Sequence, residues 1–168
     1  MKHTISVLVE DKPGVLARIS SLLARRGFNI HSLTVGPSHE LGLSRMTIVV
    51  EADELEQVKK QLHKLINVVK ISEMDDRQAL ERELMLVRVN AQPARRAELL
   101  ALAEVFDAVA VDVGPASIAF QIVGKPVKVN DFLDLVRPYG VIDLVKSGWV
   151  ALARETKSRG GASLRAVK

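Results

Sequence analysis

Two short fragments hold the residues with the best claim to chemistry: Glu10-Asp11-Lys12-Pro13-Gly14-Val15-Leu16 and, a little downstream, Gly27-Phe28-Asn29-Ile30. A free α-amino acid presents a carboxylate, an ammonium and a side chain, and between them the fragments offer an answer to each. Gly14 lets the backbone approach a ligand closely, and the unpaired N–H groups of a first helical turn attract an anion, which suits the carboxylate. Asp11 can pair with the ammonium, and Asn29 carries an amide able to bind either charged end. Val15, Ile30 and Leu33 supply an apolar wall suited to an aliphatic ligand. No base, nucleophile or metal constellation converges anywhere, so the chemistry is recognition and not turnover. Asp-Lys-Pro-Gly equally describes a turn feeding a well-made helix, with Asp11 as a cap and Gly14 merely tolerated, and Asn29 equally describes a turn. On those four residues alone the structural reading is the stronger, and only the conjunction of the two fragments points to a site.

Other chemistries find less support. The chain has no cysteine, which removes disulfides, thiolate metal sites and a cysteine nucleophile and fits a reducing cytoplasm. His3, His31, His39 and His63 show no metal-ligand spacing and read as solvated or helix-surface residues. The formal charge of +4 raises the question of nucleic acid. Lys157, Arg159, Arg165 and Lys168 account for that excess, in a Gly- and Ser-containing end without acids, which reads as a basic flexible tail and not a binding arm. No apolar run approaches the roughly 18 residues a membrane helix needs, and Glu10, Asp11 and Lys12 interrupt the first apolar stretch, so neither a membrane span nor a signal peptide is expected.

The fragments must be positioned by the elements around them. His3 to Val9 alternates as a strand, with Ile5, Val7 and Val9 on one face. Pro13 suits the first turn of a helix whose stripe is Val15, Leu16, Ile19, Leu22 and Leu23, and Gly27 ends it. Phe28 to Gly36 and Gly42 to Glu51 read as strands around a turn at Pro37 to Leu41. Asp53 and Glu56 have capping-box spacing for a helix with Leu55, Val58, Leu62, Leu65 and Ile66 inward. Val68 to Met74 closes a βαββαβ unit. Asp75 to Glu83, charged and helix-prone with no apolar face, reads as a connection. The same order then recurs: strand Leu84 to Asn90, helix Pro93 to Phe106 carrying Leu99, Leu100, Ala103 and Phe106, strands Val109 to Val113 and Ser117 to Val123 around Gly114-Pro115, helix Val127 to Val136, strand Val141 to Lys146, and a short extension at Trp149 to Ala153.

The fold class is therefore α+β, with two ferredoxin-like units, each a four-stranded antiparallel sheet with both helices on one face. Such a fold hosts many functions. An RNA-recognition module would stack bases on aromatics of its central strands, yet Leu43 to Val50 contains no Phe, Tyr or Trp. A metal-carrying ferredoxin would need cysteines. Small-molecule sensing remains.

Here the chain resembles a known family. EDKPGVLARI followed by RRGFNIHSLTVGP looks like an ACT domain; LSRMTIVVE followed by QLHKLINVVKISE looks like the small, regulatory subunit of acetolactate synthase (acetohydroxyacid synthase). The resemblance runs from about Ile5 to Met74 and continues more weakly through Arg82-Glu83-Leu84-Met85-Leu86-Val87. It implies the division 1–75 for an ACT domain that binds an effector and dimerises, 76–83 for a linker, 84–155 for a C-terminal ferredoxin-like regulatory domain, and 156–168 for the tail. It implies no catalysis and no cofactor in this chain. A large catalytic subunit, carrying thiamine diphosphate, a divalent metal and FAD, would be the partner in branched-chain amino acid biosynthesis; this subunit would activate it and confer feedback inhibition by valine or another branched-chain amino acid.

The family's effector site lies between the ACT domains of a homodimer. It carries over onto Asp11, Gly14, Val15 and Leu16 of one copy with Asn29 and Ile30 of the other, and the seam onto Asn29, Ile30, His31, Ser32, Leu33, Thr34 and Val35. Position 11 is asparagine in some relatives; the aspartate here favours the ammonium. In this topology the second strand lies at a sheet edge, where a two-fold mate can pair with it. Arg45 invites a contact with the catalytic subunit, or a surface ion pair. The second unit has Ala91-Gln92-Pro93-Ala94 in place of Asp-x-Pro-Gly, so it is expected to bind no amino acid and to serve dimerisation, partner contact or signal transmission. The competing reading is a stand-alone ACT-domain amino-acid-binding regulator of another enzyme.

Overall fold

The computed structural model describes residues 1–75 and 78–155; the basic tail lies outside the described residues. The first unit runs β1 (Lys2–Glu10), α1 (Val15–Arg25), β2 (Asn29–Pro37), β3 (Leu43–Glu51), α2 (Leu55–Leu62) and β4 (Val68–Met74). Its antiparallel sheet has the order β2-β3-β1-β4, which places β2 at an edge. Period-two alternation turns Ile5, Val7 and Val9 of β1 and Met46, Ile48 and Val50 of β3 toward the helices, where Ile19, Leu23, Val58 and Leu62 bury against them. α1 ends in a Schellman motif: Phe28 N donates to Leu23 O and Gly27 N to Ala24 O, each at 3.0 Å, with Gly27 at φ +76°.

The second unit repeats the plan with β5 (Ala79–Asn90), α3 (Pro93–Val105), β6 (Val109–Val113), β7 (Ser117–Gly124), α4 (Pro126–Val136), β8 (Val141–Lys146) and β9 (Val150–Ala153). The sheet order is β6-β7-β5-β8, and β9 pairs with the start of β5, from Ala79 against Ala153 to Arg82 against Val150. Its core gathers Met85, Val87, Phe120 and Ile122 against Leu99, Phe132 and Val136. Phe120 meets Phe132 edge-on at 6.0 Å between ring centroids, inside the favourable range for a T-shaped pair.

Four local expectations are corrected. The charged stretch before Leu84 is largely strand, because Glu83 is buried beside Lys146 and Glu81 and Arg82 pair across to β9. Pro13 lies in the turn before α1, which begins only at Val15. No capping box forms at α2: the N-cap is Glu54 without a side-chain cap bond, and Glu56 is drawn to Lys59 instead. Ile66 is 92% exposed, since α2 stops at Leu62 and the chain turns before the stripe can continue.

The two units touch through β9 and the start of β5. Thr4, Ser6, Thr47 and Val49 face away from the helices and are nevertheless buried, because β9 lies over β1 and β4 on that side. Ala79 and Ala151 meet Met74 there, small side chains that let the backbones come close, and Ala151 N donates to Thr47 Oγ1 at 3.4 Å. Among the described residues, no helix is long and apolar enough to cross a membrane.

Candidate functional site

The loop between β1 and α1 is built around Gly14. This residue is the N-cap of α1 at φ +84°, a conformation that L side chains rarely adopt, and a Cβ placed there would meet nothing within 4 Å. Glycine is thus required by the backbone, and the space in front of it is open. α1 has no side-chain cap and no acidic residue in its first turn; the Val15 amide donates to Lys12 O at 3.4 Å, and the N–H groups beyond it face outward with the positive end of the helix dipole. Asp11 is not the cap. Its amide donates to Gly42 O at 2.8 Å, and its exposed carboxylate has no partner among the described residues.

A hydrogen-bonded chain that the sequence reading missed holds this loop. Asn67, buried, donates from Nδ2 to Glu10 Oε2 at 2.7 Å and accepts at Oδ1 from Arg18 Nη1 at 3.0 Å; Lys12 Nζ reaches the same Glu10 oxygen at 3.0 Å. The Asn67 bond first, then the Lys12 bond, holds the Glu10 carboxyl below the usual carboxylate range. Backbone bonds reinforce it, with Glu10 N donating to Asn67 O at 2.9 Å. Asn67 lies 57 residues from Glu10, so only the tertiary fold reveals the pairing.

The expected apolar wall is revised. Val15 points into the core, so only its backbone faces the loop, whereas Leu16, 43% exposed, is the outward apolar side chain of the first turn. Ile30 and Leu33 are half-buried against the same core. Arg45 makes no ion pair or side-chain hydrogen bond among the described residues, which removes the surface-pair alternative.

Asn29 and Ile30 open β2 at the other end of the sheet. Asn29 pairs with Glu51, which pairs with Lys2, whereas Glu10 leads into Gly14 from the far end of β1. At roughly 3.3 Å per residue, the length of β1 separates these ends by about 25 Å. One chain alone therefore does not bring the two fragments together. Just past Ile30 the β2–β3 register shifts at His31, a bulge of the kind that re-aims side chains beside binding sites.

The corresponding loop of the second unit is closed. Gln92 has ordinary negative φ, and Arg96 Nη2 fills the loop by donating to the carbonyls of Ala91, Gly114 and Pro115 at 3.1, 3.0 and 2.7 Å. No group of three or more His, Cys, Asp or Glu among the described residues is placed to hold a metal.

Comparison with known proteins matches both units. Residues 5–70 fit the family model "AHAS small subunit-like ACT domain", and residues 82–155 fit "Small subunit of acetolactate synthase". The chain is 52% identical over 159 residues to the "Probable acetolactate synthase small subunit" of Archaeoglobus fulgidus, covering 94% of this chain and 99% of that one. It is 46% identical over 162 residues to the acetolactate synthase small subunit of Mycolicibacterium smegmatis, with 95% of each chain covered. The crystal structure of the Thermotoga maritima acetolactate synthase small subunit superposes with a TM-score of 0.86 at 38% identity, over 93% of this chain and 99% of that one. With both units matched in order over nearly the whole length, the chain belongs to the acetolactate synthase small subunit family, non-catalytic regulatory proteins built on an ACT domain.

Proposed function

We propose that this chain is a valine sensor that acts on a catalytic acetolactate synthase subunit. Two copies pair through β2, residues Asn29 to Val35, and build an effector site at each end of the seam. Asp11 and Gly14 of one copy, with the first-turn backbone at Val15 and Leu16, take the ammonium and carboxylate; Asn29 and Ile30 of the other copy complete the site. Binding there lowers the activity of a thiamine-diphosphate-dependent partner that the unliganded subunit raises. Residues 1–75 carry sensing and dimerisation, 84–155 carry regulation of the partner without an amino-acid site, and both work in the cytoplasm beside the enzyme.

One observation carries this reading: two complementary fragments sit about 25 Å apart in one chain, at opposite ends of a sheet whose edge strand is β2. An antiparallel two-fold about the middle of β2 would set Asn29 beside the mate's Pro37, whose partner Ser44 pairs with Val9, just before the Gly14 loop. The edge strand's open backbone groups supply the attraction, and the first-turn amides beyond Val15, whose own N–H is engaged by Lys12 O at 3.4 Å, supply the anion site.

Calorimetric titration of valine into the full chain tests it. Valine binds the wild type, Gly14→Asp abolishes binding by placing a carboxylate where the ligand's would go, and Asn29→Ala weakens it. Unchanged binding in both variants contradicts the assignment of the pocket.

A further inference from the structure

The strand that carries Asn29 and Ile30 is held from behind by the second unit. Ser32 Oγ accepts the Trp149 amide at 2.8 Å, and Thr34 Oγ1 donates to Ser147 O at 3.4 Å. Between these two bonds Gly148, at φ +81°, lies so close that a Cβ would come within 2.9 Å of both hydroxyl oxygens. The His31 ring, at the bulge, meets the Trp149 indole edge-on at 6.0 Å between centroids. Ser147 is in turn locked to β5: its amide donates to Leu84 O at 2.9 Å, and its Oγ accepts from Leu84 N at 3.0 Å. The segment Ser147-Gly148-Trp149, the link between β8 and β9, thus grips β2 immediately beyond the effector residues and is itself bonded to β5 of the second sheet.

We infer that Ser147-Gly148-Trp149 is a clasp that positions the effector half-site on β2 and reports its occupancy to the second unit. The inference rests on the effector reading given above. The bulge at His31 lets Asn29 and Ile30 change their aim without breaking the rest of the β2–β3 ladder. An open cavity of about 480 Å³ lies beside it, lined by Lys2, His31, Ser32, Asn130, Lys146 and Trp149. Motion of Ser32 passes to Trp149 through one hydrogen bond, and from Ser147 into β5 through two. Ser32 and Thr34 are positioning residues: their hydroxyls face the clasp on the side of the sheet away from the helices and do not touch the ligand.

Trp149 is the sole tryptophan of the chain, so its emission reads the clasp directly. Valine is titrated into the full chain with emission and calorimetry recorded in parallel, for the wild type, Ser32→Ala and Ser32→Thr. In the wild type the emission changes saturably with the calorimetric midpoint. Loss of one hydrogen bond in Ser32→Ala weakens valine binding about fivefold and abolishes the emission change, and Ser32→Thr, which keeps the hydroxyl, restores both. A merely structural serine would lower the melting temperature and leave the emission response intact. Valine binding with no emission change in the wild type, or Ser32→Ala behaving as wild type, overturns the clasp and leaves the effector site standing. Absence of valine binding in the wild type overturns the effector reading and the clasp with it.

Discussion

Glu83 and Lys146 form an ion pair across β5 and β8 with 3.3 Å between Oε2 and Nζ, in which the Glu83 side chain is 5% exposed and that of Lys146 is 26% exposed. Lys146 has a second partner, Asn130 Oδ1 at 2.6 Å. The two members therefore differ in what their loss leaves behind. Removing the lysine strands a nearly buried carboxylate, whereas removing the carboxylate leaves an ammonium that still reaches Asn130 and water. Lys146→Met is expected to cost about 3 kcal/mol and Glu83→Gln about 1 kcal/mol of unfolding free energy. Urea unfolding checks the order, and equal or reversed costs contradict it.

The Glu10 carboxyl, held low by Asn67 and Lys12, makes the effector loop sensitive to acid. Its folded pKa lies below its unfolded value, so its contribution is present above the unfolded pKa and is lost as pH falls through the folded one. Urea midpoints measured from about pH 6 down to about pH 3 should fall less steeply for Glu10→Gln than for the wild type. Parallel slopes would show that the Asn67 bond does not favour the ionised form.

Asp11 stands free of side-chain partners and is fully available to an ammonium. An exposed charge pair contributes about 0.5–1 kcal/mol, so Asp11→Asn should weaken valine roughly two- to fivefold, with the loss shrinking at high salt. Calorimetry at two ionic strengths checks this. A salt-independent change would assign Asp11 a role in loop geometry and not in charge pairing.

β2 depends on an open edge for pairing with its mate. Val35, 42% exposed on that edge strand, tolerates a charge in the monomer, whereas like charges near a two-fold oppose association. Val35→Asp should shift sedimentation from dimer to monomer and lose valine binding together. Retained valine binding in a monomeric variant would contradict a site shared between copies.

Much of this was legible in the sequence for a physical reason. Alternation at Ile5, Val7 and Val9 and the helical stripe around Ile19 and Leu23 record which side faces the core, and Gly27 at positive φ marks where α1 must stop. Gly14 also announced itself, since few residues other than glycine accept its backbone. What stayed hidden was carried by partners distant in the chain. Glu83 looks solvated until Lys146 is beside it, Asn67 is unremarkable until Glu10 and Arg18 close on it, and Ser147-Gly148-Trp149 gives no sign of gripping Ser32 and Thr34. Asp53 and Glu56 failed in the opposite way, because capping-box spacing lost to a nearer lysine.

Regulation of a partner by a ligand is tested most directly with both present. The full chain is mixed with a thiamine-diphosphate-dependent acetolactate synthase catalytic subunit, and acetolactate formation is followed as valine is added. Turnover should rise several-fold on mixing and fall back saturably with valine, and Gly14→Asp should activate equally while resisting valine. A complex whose activity ignores valine, or no complex with the cognate catalytic subunit, would contradict the proposed function; the second result would leave a stand-alone amino-acid-binding regulator in its place.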